Sequence, residues 1–271
     1  MAKNPPSGAV IDYYLPSRAG KVTLEVRDSR GKLVRRYVSG EKKQEPAPPL
    51  PIAERWLPKP AVLENSAGMH RFVWDLRWGA AGLNEESDDE SIEVAGGPRA
   101  APGTYQVKLL VDGTTFTDPL QIKMDPRSKA TAAELAEQQR LGLEIFWETR
   151  RVQQAQDQMK AAREVLDKLK QKVKEQPQLI TQVEKVLADV ADIDSGGKSG
   201  TAGLRTAGSG LQAALRVVEG SDRAVPQQAM DVYRTSDEAA KSRIAEWQKL
   251  QSGELAELNR ELKKAGLAAI P

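Results

Sequence analysis

The sequence predicts an α+β protein of two segregated modules, an antiparallel β-sandwich at 1–127 and an antiparallel bundle of three or four long helices at 128–271. Three observations support this prediction. Prolines and glycines punctuate the first part too densely for long helices. Its apolar residues alternate with a period of two, which is typical of half-buried strands. After Asp125-Pro126-Arg127 the chain is rich in Ala, Glu, Gln, Lys and Leu, which favour helix.

Six short segments of the first part have strand character. The clearest places Val22, Leu24 and Val26 on one face, between polar residues. Asp112-Gly113 predicts a two-residue hairpin turn, and Pro119 predicts an interruption of the last strand, at an edge or a bulge. Six or seven such strands indicate a β-sandwich, and the predicted strands are 9–15, 21–27, 32–38, 69–78 (central, with Phe72, Trp74 and Leu76 in phase), 103–111 and 114–124.

Two stretches interrupt the strand pattern. Residues 41–60 are rich in proline, which predicts an extended or loop conformation. Residues 80–102 include the acidic run 85–90, whose oxygens suit calcium. The run lacks the alternating spacing of a calcium-binding loop, so a solvated loop is the favoured interpretation.

The second part begins with a capping-box pattern, in which Thr131 is the N-cap and Glu134 lies three residues later. Pro177 either ends the first helix or opens the second. Apolar residues then recur at alternating steps of three and four, as in a coiled coil or an antiparallel bundle. This stripe in the first helix comprises Val152, Ala155, Met159, Ala162, Leu166, Leu169 and Val173.

Three further signals divide the helical part. The glycine-rich segment 194–201 predicts a break between helices, Pro226 predicts the start of a fourth helix, and the apolar phase shifts near Ser252-Gly253. Three or four helices with single apolar stripes are marginal alone, so they are expected to fold together as an antiparallel bundle.

The junction between the modules is expected to be fixed. The junction is Asp125-Pro126-Arg127, and only about five residues separate the last strand from the helix cap, too few for the modules to move independently. The proximal part of the long helix, residues 141–147, is then expected to rest on the sandwich, with Phe146 or Trp147 as the contact that sets the angle between the modules.

The order of motifs DSRGKLVR, GMHRFVWDLRW, PGTYQVKL and a DPR exit resembles the Ig-like domain of flagellar hook-capping proteins. It resembles more closely the C-terminal region of large bacterial proteins with BNR or sortilin-like β-propellers, which are often labelled glycosyl hydrolases. The resemblance covers most of the chain, including the leucine-rich end at 255–271. The resemblance implies an Ig-like sandwich and a secreted or periplasmic location. It also implies that any binding or catalytic site would lie in the propeller. This chain has no S-x-D-x-G-x-x-W propeller repeat.

The composition narrows the function classes. A net charge of +2 gives no general attraction to nucleic acid, and no apolar run is long enough for a membrane span. The absence of cysteine excludes disulfides and thiolate metal sites. The start of the chain lacks a signal peptide and resembles a cut from a longer protein. No cofactor or metal is predicted.

Candidate reactive residues are few. His70 is the single histidine, which excludes a multi-histidine metal site, and its side chain is expected on the face opposite Trp74. Asp75 would be half of a carboxylate pair in glycoside chemistry, although a structural hydrogen bond or an ion pair with Arg77 is favoured. Gly196-Gly197-Lys198-Ser199 lacks the first glycine and the preceding strand of a phosphate loop, so a flexible inter-helix linker is favoured.

An aromatic platform for sugars is one interpretation of Trp56, Trp74 and Trp78. The favoured interpretation is structural: Trp74 lies in the core, and Trp56 holds the proline-rich loop across the sheet. The candidate binding residues are therefore Trp56, Trp78 and Asp75, and no catalytic set is assigned.

The leading functional prediction is a non-catalytic interaction or scaffold module, the C-terminal part of a larger protein. Its helices would dock on the missing propeller, associate with another chain or self-associate. The alternatives are an accessory carbohydrate- or peptide-binding domain and a hydrolase fragment.

Overall fold

The computed structural model describes residues 7–40, 62–79, 97–197 and 200–270. Over these residues the chain forms six strands in two small sheets, followed by helices, which confirms the mixed α+β class. The chain divides into two compact units, Met1–Gln139 (the β unit) and Arg140–Pro271 (the helical unit). The division falls inside the first helix.

The β unit holds six described strands, whose predicted positions are confirmed to within a few residues, except at the end of the fourth. The strands are β1 (Ala9–Leu15), β2 (Val22–Arg27), β3 (Leu33–Val38), β4 (Gly68–Trp74), β5 (Gly103–Val111) and β6 (Thr114–Ile122). Strands β1 and β4 form a two-stranded sheet, the other four form a sheet in the order β3-β2-β5-β6, and all these pairings are antiparallel.

The prediction of a central strand over 69–78 is wrong in two respects. Strand β4 pairs with β1 alone among the described strands, and it ends at Trp74. The physical reason for the early end is the backbone of Leu76, whose φ of 59° is left-handed and incompatible with an extended strand.

The hairpin turn between β5 and β6 is confirmed. Asp112 and Gly113 both have positive φ, 47° and 89°, as a type I′ turn requires. The Asp112 carboxylate accepts hydrogen bonds from the backbone N–H groups of Lys21 and Gly20, at 2.8 and 3.1 Å. These backbone donors lower the pKa of Asp112. The turn therefore also ties down the start of β2.

Pro119 lies on the edge strand β6, as predicted, but it does not interrupt the strand. The register continues through the pair Gln106 and Pro119. An edge position tolerates proline because the strand has pairing partners on only one side.

The two sheets contact each other through aromatic side chains. The ring centroids of Tyr37 and Phe72 lie 4.6 Å apart, and those of Trp74 and Tyr105 lie 5.5 Å apart. We call the surfaces that meet here the inner faces of the sheets. His70 lies on the same face as Phe72 and Trp74, so its predicted position opposite Trp74 is wrong, because a strand places residues 70, 72 and 74 on one side.

The helical unit shares one apolar core, to which every helix contributes. The capping box is confirmed: the backbone N–H of Thr131 donates to Glu134 at 2.7 Å, and that of Glu134 donates to Thr131 Oγ1 at 3.2 Å. Pro177 opens the second helix. The helices are α1 (Ala132–Lys172), α2 (Pro177–Ser195), α3 (Leu204–Val218), α4 (Gln227–Leu250) and α5 (Ala256–Lys264).

A π-helical segment, Gln251–Leu255, joins α4 to α5 and explains the phase shift predicted near Ser252-Gly253. Successive buried side chains at Leu250 and Leu255 are five residues apart, whereas α-helical spacing is three or four. One wider turn accommodates the extra residue. It returns Leu258 and Leu262 to the core, where both are buried.

The predicted glycine-rich break between α2 and α3 is confirmed, and its described residues pack closely against one another, whereas its flexibility stays a prediction. Gly196 and Ala202 form a β-bridge that closes the loop. A Cβ on Gly203 would lie 2.3 Å from the carbonyl carbon of Ser195, so only glycine fits there. Because a helix precedes the linker, the context of a phosphate loop is absent.

Candidate functional site

The predicted binding residues have different surroundings. Trp56, the proline-rich loop 41–60 and the acidic run 85–90 lie outside the described residues. Trp78 is 3 % exposed, and the Nζ atom of Lys32 lies 5.7 Å from its ring centroid. Asp75 is exposed and accepts a hydrogen bond from the backbone N–H of Arg77 at 3.1 Å. Trp78 therefore offers no open ring face to solvent, and the contact of Asp75 is a local turn.

His70 is held by packing and one hydrogen bond. Its Nε2–H donates to the carbonyl oxygen of Ser66 at 2.7 Å, and its ring centroid lies 5.1 Å from that of Tyr13. These contacts fit the structural interpretation of His70.

The predicted junction residues form a compact turn. The Arg127 guanidinium donates hydrogen bonds to the Asp125 carboxylate at 2.7 and 3.0 Å. The backbone N–H of Ser128 donates to the carbonyl oxygen of Asp125. Hydrogen bonds from the Arg127 side chain and backbone lower the pKa of Asp125 to about 2.

Phe146 is buried, Trp147 is half-buried, and their rings meet edge to face at 5.0 Å. Their role in setting the angle between the modules stays a prediction.

A feature that the sequence did not reveal lies in the β unit. An apolar groove of about 540 Å³ runs between β1 and the inner face of the β5-β6 hairpin. We call it the β1–β6 groove, and its lining includes residues 10–16 together with Leu109, Val111, Phe116 and Asp118.

The groove exists because the two-stranded sheet covers only part of its larger partner. One row of side chains, Tyr37, Leu24, Leu109 and Phe116, crosses all four strands in register. Leu24 is 0 % exposed, Leu109 is half-buried and Phe116 is 56 % exposed. Burial therefore falls steadily from β2 to β6, and the uncovered half of this inner face is the floor of the groove.

One wall of the groove is a strand edge. Strand β1 pairs along its whole length with β4, and over the described ranges no strand pairs with its opposite edge. Such an edge presents backbone N–H and C=O groups that are ready to pair with another strand.

The groove carries one acidic group on its inner face. Asp118 lies beside Val107 in the register and is exposed. Within the described residues its carboxylate makes no ion pair. Asp12, by contrast, is bound bidentately by Arg71 at 2.8 Å on the outer face of the β1-β4 sheet, and this hydrogen bonding lowers its pKa.

Sequence reasoning missed the groove for a physical reason. Phe116 stands in the polar run Thr-Thr-Phe-Thr-Asp and looks like an isolated apolar residue on an edge strand. Its exposure depends on how many strands the opposite sheet contains, which alternation along one strand cannot reveal. The signal that was available is the weak apolar content of β6 beside the strongly apolar β5.

Other types of site receive no support from the residues described. No group of three or more His, Asp or Glu side chains among them is arranged to hold a metal ion. None of their helices is both long and apolar enough to cross a bilayer. No protein-family model, no curated protein and no solved structure matches this chain.

Proposed function

We propose that this chain is a non-catalytic interaction module, and that the β1–β6 groove is the surface with which it binds a partner protein. The observation that carries this proposal is the graded row from Leu24 to Phe116, which leaves an apolar floor beside a strand edge that no described strand pairs with. Apolar surface arranged in a groove is typical of binding sites.

The wider context of the module belongs to the same proposal. The two sheets form an Ig-like β-sandwich, and the helices form an antiparallel bundle. Aromatic contacts between the sheets and the shared helical core support these assignments. The module is the C-terminal part of a larger secreted or periplasmic bacterial protein, and the support for this step is the resemblance of the DSRGKLVR, GMHRFVWDLRW and PGTYQVKL motifs to propeller-bearing proteins. The missing propeller or a second protein would then be its partner.

Among the alternatives, peptide binding agrees best with the groove. A sugar platform would use the faces of tryptophan rings, and the ring of Trp78 is buried. The hydrolase alternative has Asp75 in a local turn with the Arg77 backbone. Neither observation favours a second function.

Selection from a displayed library of random peptides tests the proposal. The wild-type chain is the bait, and Phe116→Ser and Met69→Ser chains are the matched variants. Met69 is 71 % exposed but lies outside the groove, so its substitution controls for the loss of an exposed apolar side chain. We expect peptides that bind the wild type and the Met69→Ser chain and lose binding to the Phe116→Ser chain. If no enriched peptide depends on Phe116, the groove is not the binding surface.

A further inference from the structure

We propose that the partner enters the β1–β6 groove as an extended strand that pairs with the edge of β1 opposite β4, which no described strand occupies, and places a lysine or arginine against Asp118. This inference rests on the proposed function and specifies its mode. The partner is therefore an extended peptide segment in which an apolar and a basic residue stand two positions apart, on the face that enters the groove.

The backbone of β1 supports strand pairing. All seven residues of the strand are in register with β4, so on the opposite edge every second residue directs its N–H and C=O groups toward the groove. An extended peptide satisfies these groups by hydrogen bonding, which is the basis of recognition by strand addition.

The geometry of the two sheets also favours a strand. The two-stranded sheet contacts β3 through Phe72 and β5 through Trp74, and its β1 side lines the groove together with β5 and β6. A strand added at the edge of β1 opposite β4 would lie about 4.8 Å from it, toward β5 and β6. Its inward side chains would then cover Leu109 and Phe116.

The charge of the groove specifies one residue of the guest. Phe116 and Asp118 are two residues apart on β6 and share the inner face. Because a strand rises about 3.3 Å per residue, their side chains emerge about 7 Å apart. A guest strand with an apolar residue at one position and a basic residue two positions away matches this spacing.

A second copy of the chain is the weaker candidate for the guest. The residues of β1 with the parity of the inner face are Ala9, Ile11, Tyr13 and Leu15, which would bring no positive charge to Asp118. Symmetric pairing through β1 would therefore leave this carboxylate uncompensated.

The probe is the fluorescein-labelled heptapeptide Thr-Val-Thr-Lys-Thr-Leu-Thr, and the measurement is fluorescence anisotropy with the full chain. We expect saturable binding that weakens about tenfold in Phe116→Ser, because a large apolar contact is lost. Asp118→Asn should weaken binding by about threefold, as expected for a solvent-accessible ion pair. Met69→Ser and Asp222→Lys, which alter exposed side chains outside the groove, should leave it unchanged.

Charge reversal tests the pairing of Asp118 with the guest lysine. With Asp118→Lys, a peptide carrying Glu in place of Lys should bind more tightly than the parent peptide, whereas the wild-type chain should prefer the parent. If both chains show the same order of preference, the assignment of Asp118 is wrong.

Backbone methylation separates strand pairing from simple apolar docking. Two peptides carry N-methyl groups on alternate residues, one set on each edge of the strand. Only the set that faces β1 should abolish binding, because only that edge pairs with the protein. Equal binding of both peptides would overturn strand addition while leaving peptide binding in the groove intact.

Two further outcomes overturn the inference. One is the absence of saturation by the parent peptide up to about 1 mM, the weak end of specific recognition. If the library selection still yields peptides that depend on Phe116, the proposed function survives this failure. The other is a concentration-dependent dimer in sedimentation that Phe116→Ser abolishes, which would identify a second copy as the occupant.

Discussion

Replacing Arg243 with methionine is expected to destabilise the helical unit substantially. The Arg243 side chain is 1 % exposed and connects α4 to the linker between α2 and α3. It donates to the carbonyl oxygens of Thr201 and Ala202 at 3.0 and 3.1 Å. It also contacts the carboxylates of Glu246 and Asp192 at 2.7 and 3.3 Å.

The magnitude follows from these contacts. A hydrogen bond that involves a charged group contributes about 1.5 kcal/mol or more, so losing the two carbonyl contacts costs about 3 kcal/mol. The two carboxylates are partly exposed and regain water, which limits their share of the loss. Methionine fills much of the same volume, so the cavity contribution is small. Lysine keeps the charge but lacks the forked donors, and Arg243→Lys should fall between methionine and the wild type.

The assay is urea unfolding followed by circular dichroism at the helical band. For about 3 kcal/mol and a slope of about 2 kcal/mol/M, the midpoint should fall by about 1.5 M. Arg163→Met is the matched control, because Arg163 is exposed and its ion pair with Asp167 spans 3.9 Å. A midpoint for Arg243→Met within error of the Arg163→Met control would refute the assigned role of Arg243.

Three more predictions concern stability. Burial raises the pKa of Glu148, and no hydrogen-bond partner of its Oε1 atom is found among the described residues. The contribution of Glu148 to stability therefore falls as pH rises from about 4.5 through the raised pKa. Glu148→Gln should accordingly raise the melting temperature at pH 7 more than at pH 4. Gly253→Ala should stabilise the protein by about 0.5–1 kcal/mol because a Cβ there meets no atom within 4 Å. Gly210→Ala should destabilise it because its Cβ would lie 3.1 Å from the Cβ of Ser236. A higher melting temperature for Gly210→Ala than for Gly253→Ala would contradict the packing. The lowered pKa of Asp125 means that its stabilising contribution is complete above about pH 4 and is lost as pH falls through about 2; a carboxyl titration by NMR with a midpoint near the usual 3.8 would show that the contact with Arg127 does not persist in solution.

Local chemistry made several elements predictable from the sequence. The Asp112-Gly113 turn requires positive φ at both positions, and Thr131 with Glu134 satisfies the exposed N–H groups of a helix start. The phase shift near Ser252-Gly253 was visible as an irregular apolar spacing, although the π-helical form of the turn was not. Each of these signals depends on residues within one turn or one strand.

The features that the sequence did not reveal depend on tertiary arrangement. The backbone of Leu76 sets the end of β4, whereas the apolar pattern of the sequence placed Leu76 inside the strand. The groove arises because two strands cover four, and the exposure of Phe116 follows from that mismatch. Arg243 looked like one more charge on an amphipathic helix, and its burial depends on the path of a distant linker.

Amide hydrogen exchange of β1 tests the central claim most directly. The full chain is exchanged with and without the heptapeptide, and protection is read at Ala9–Leu15, with α2 (Pro177–Ser195) as the internal reference. Slower exchange at alternate residues of β1 in the presence of the peptide, with less slowing in Phe116→Ser at the same subsaturating peptide concentration, is the predicted result. Unchanged exchange throughout β1 at saturating peptide would contradict the account.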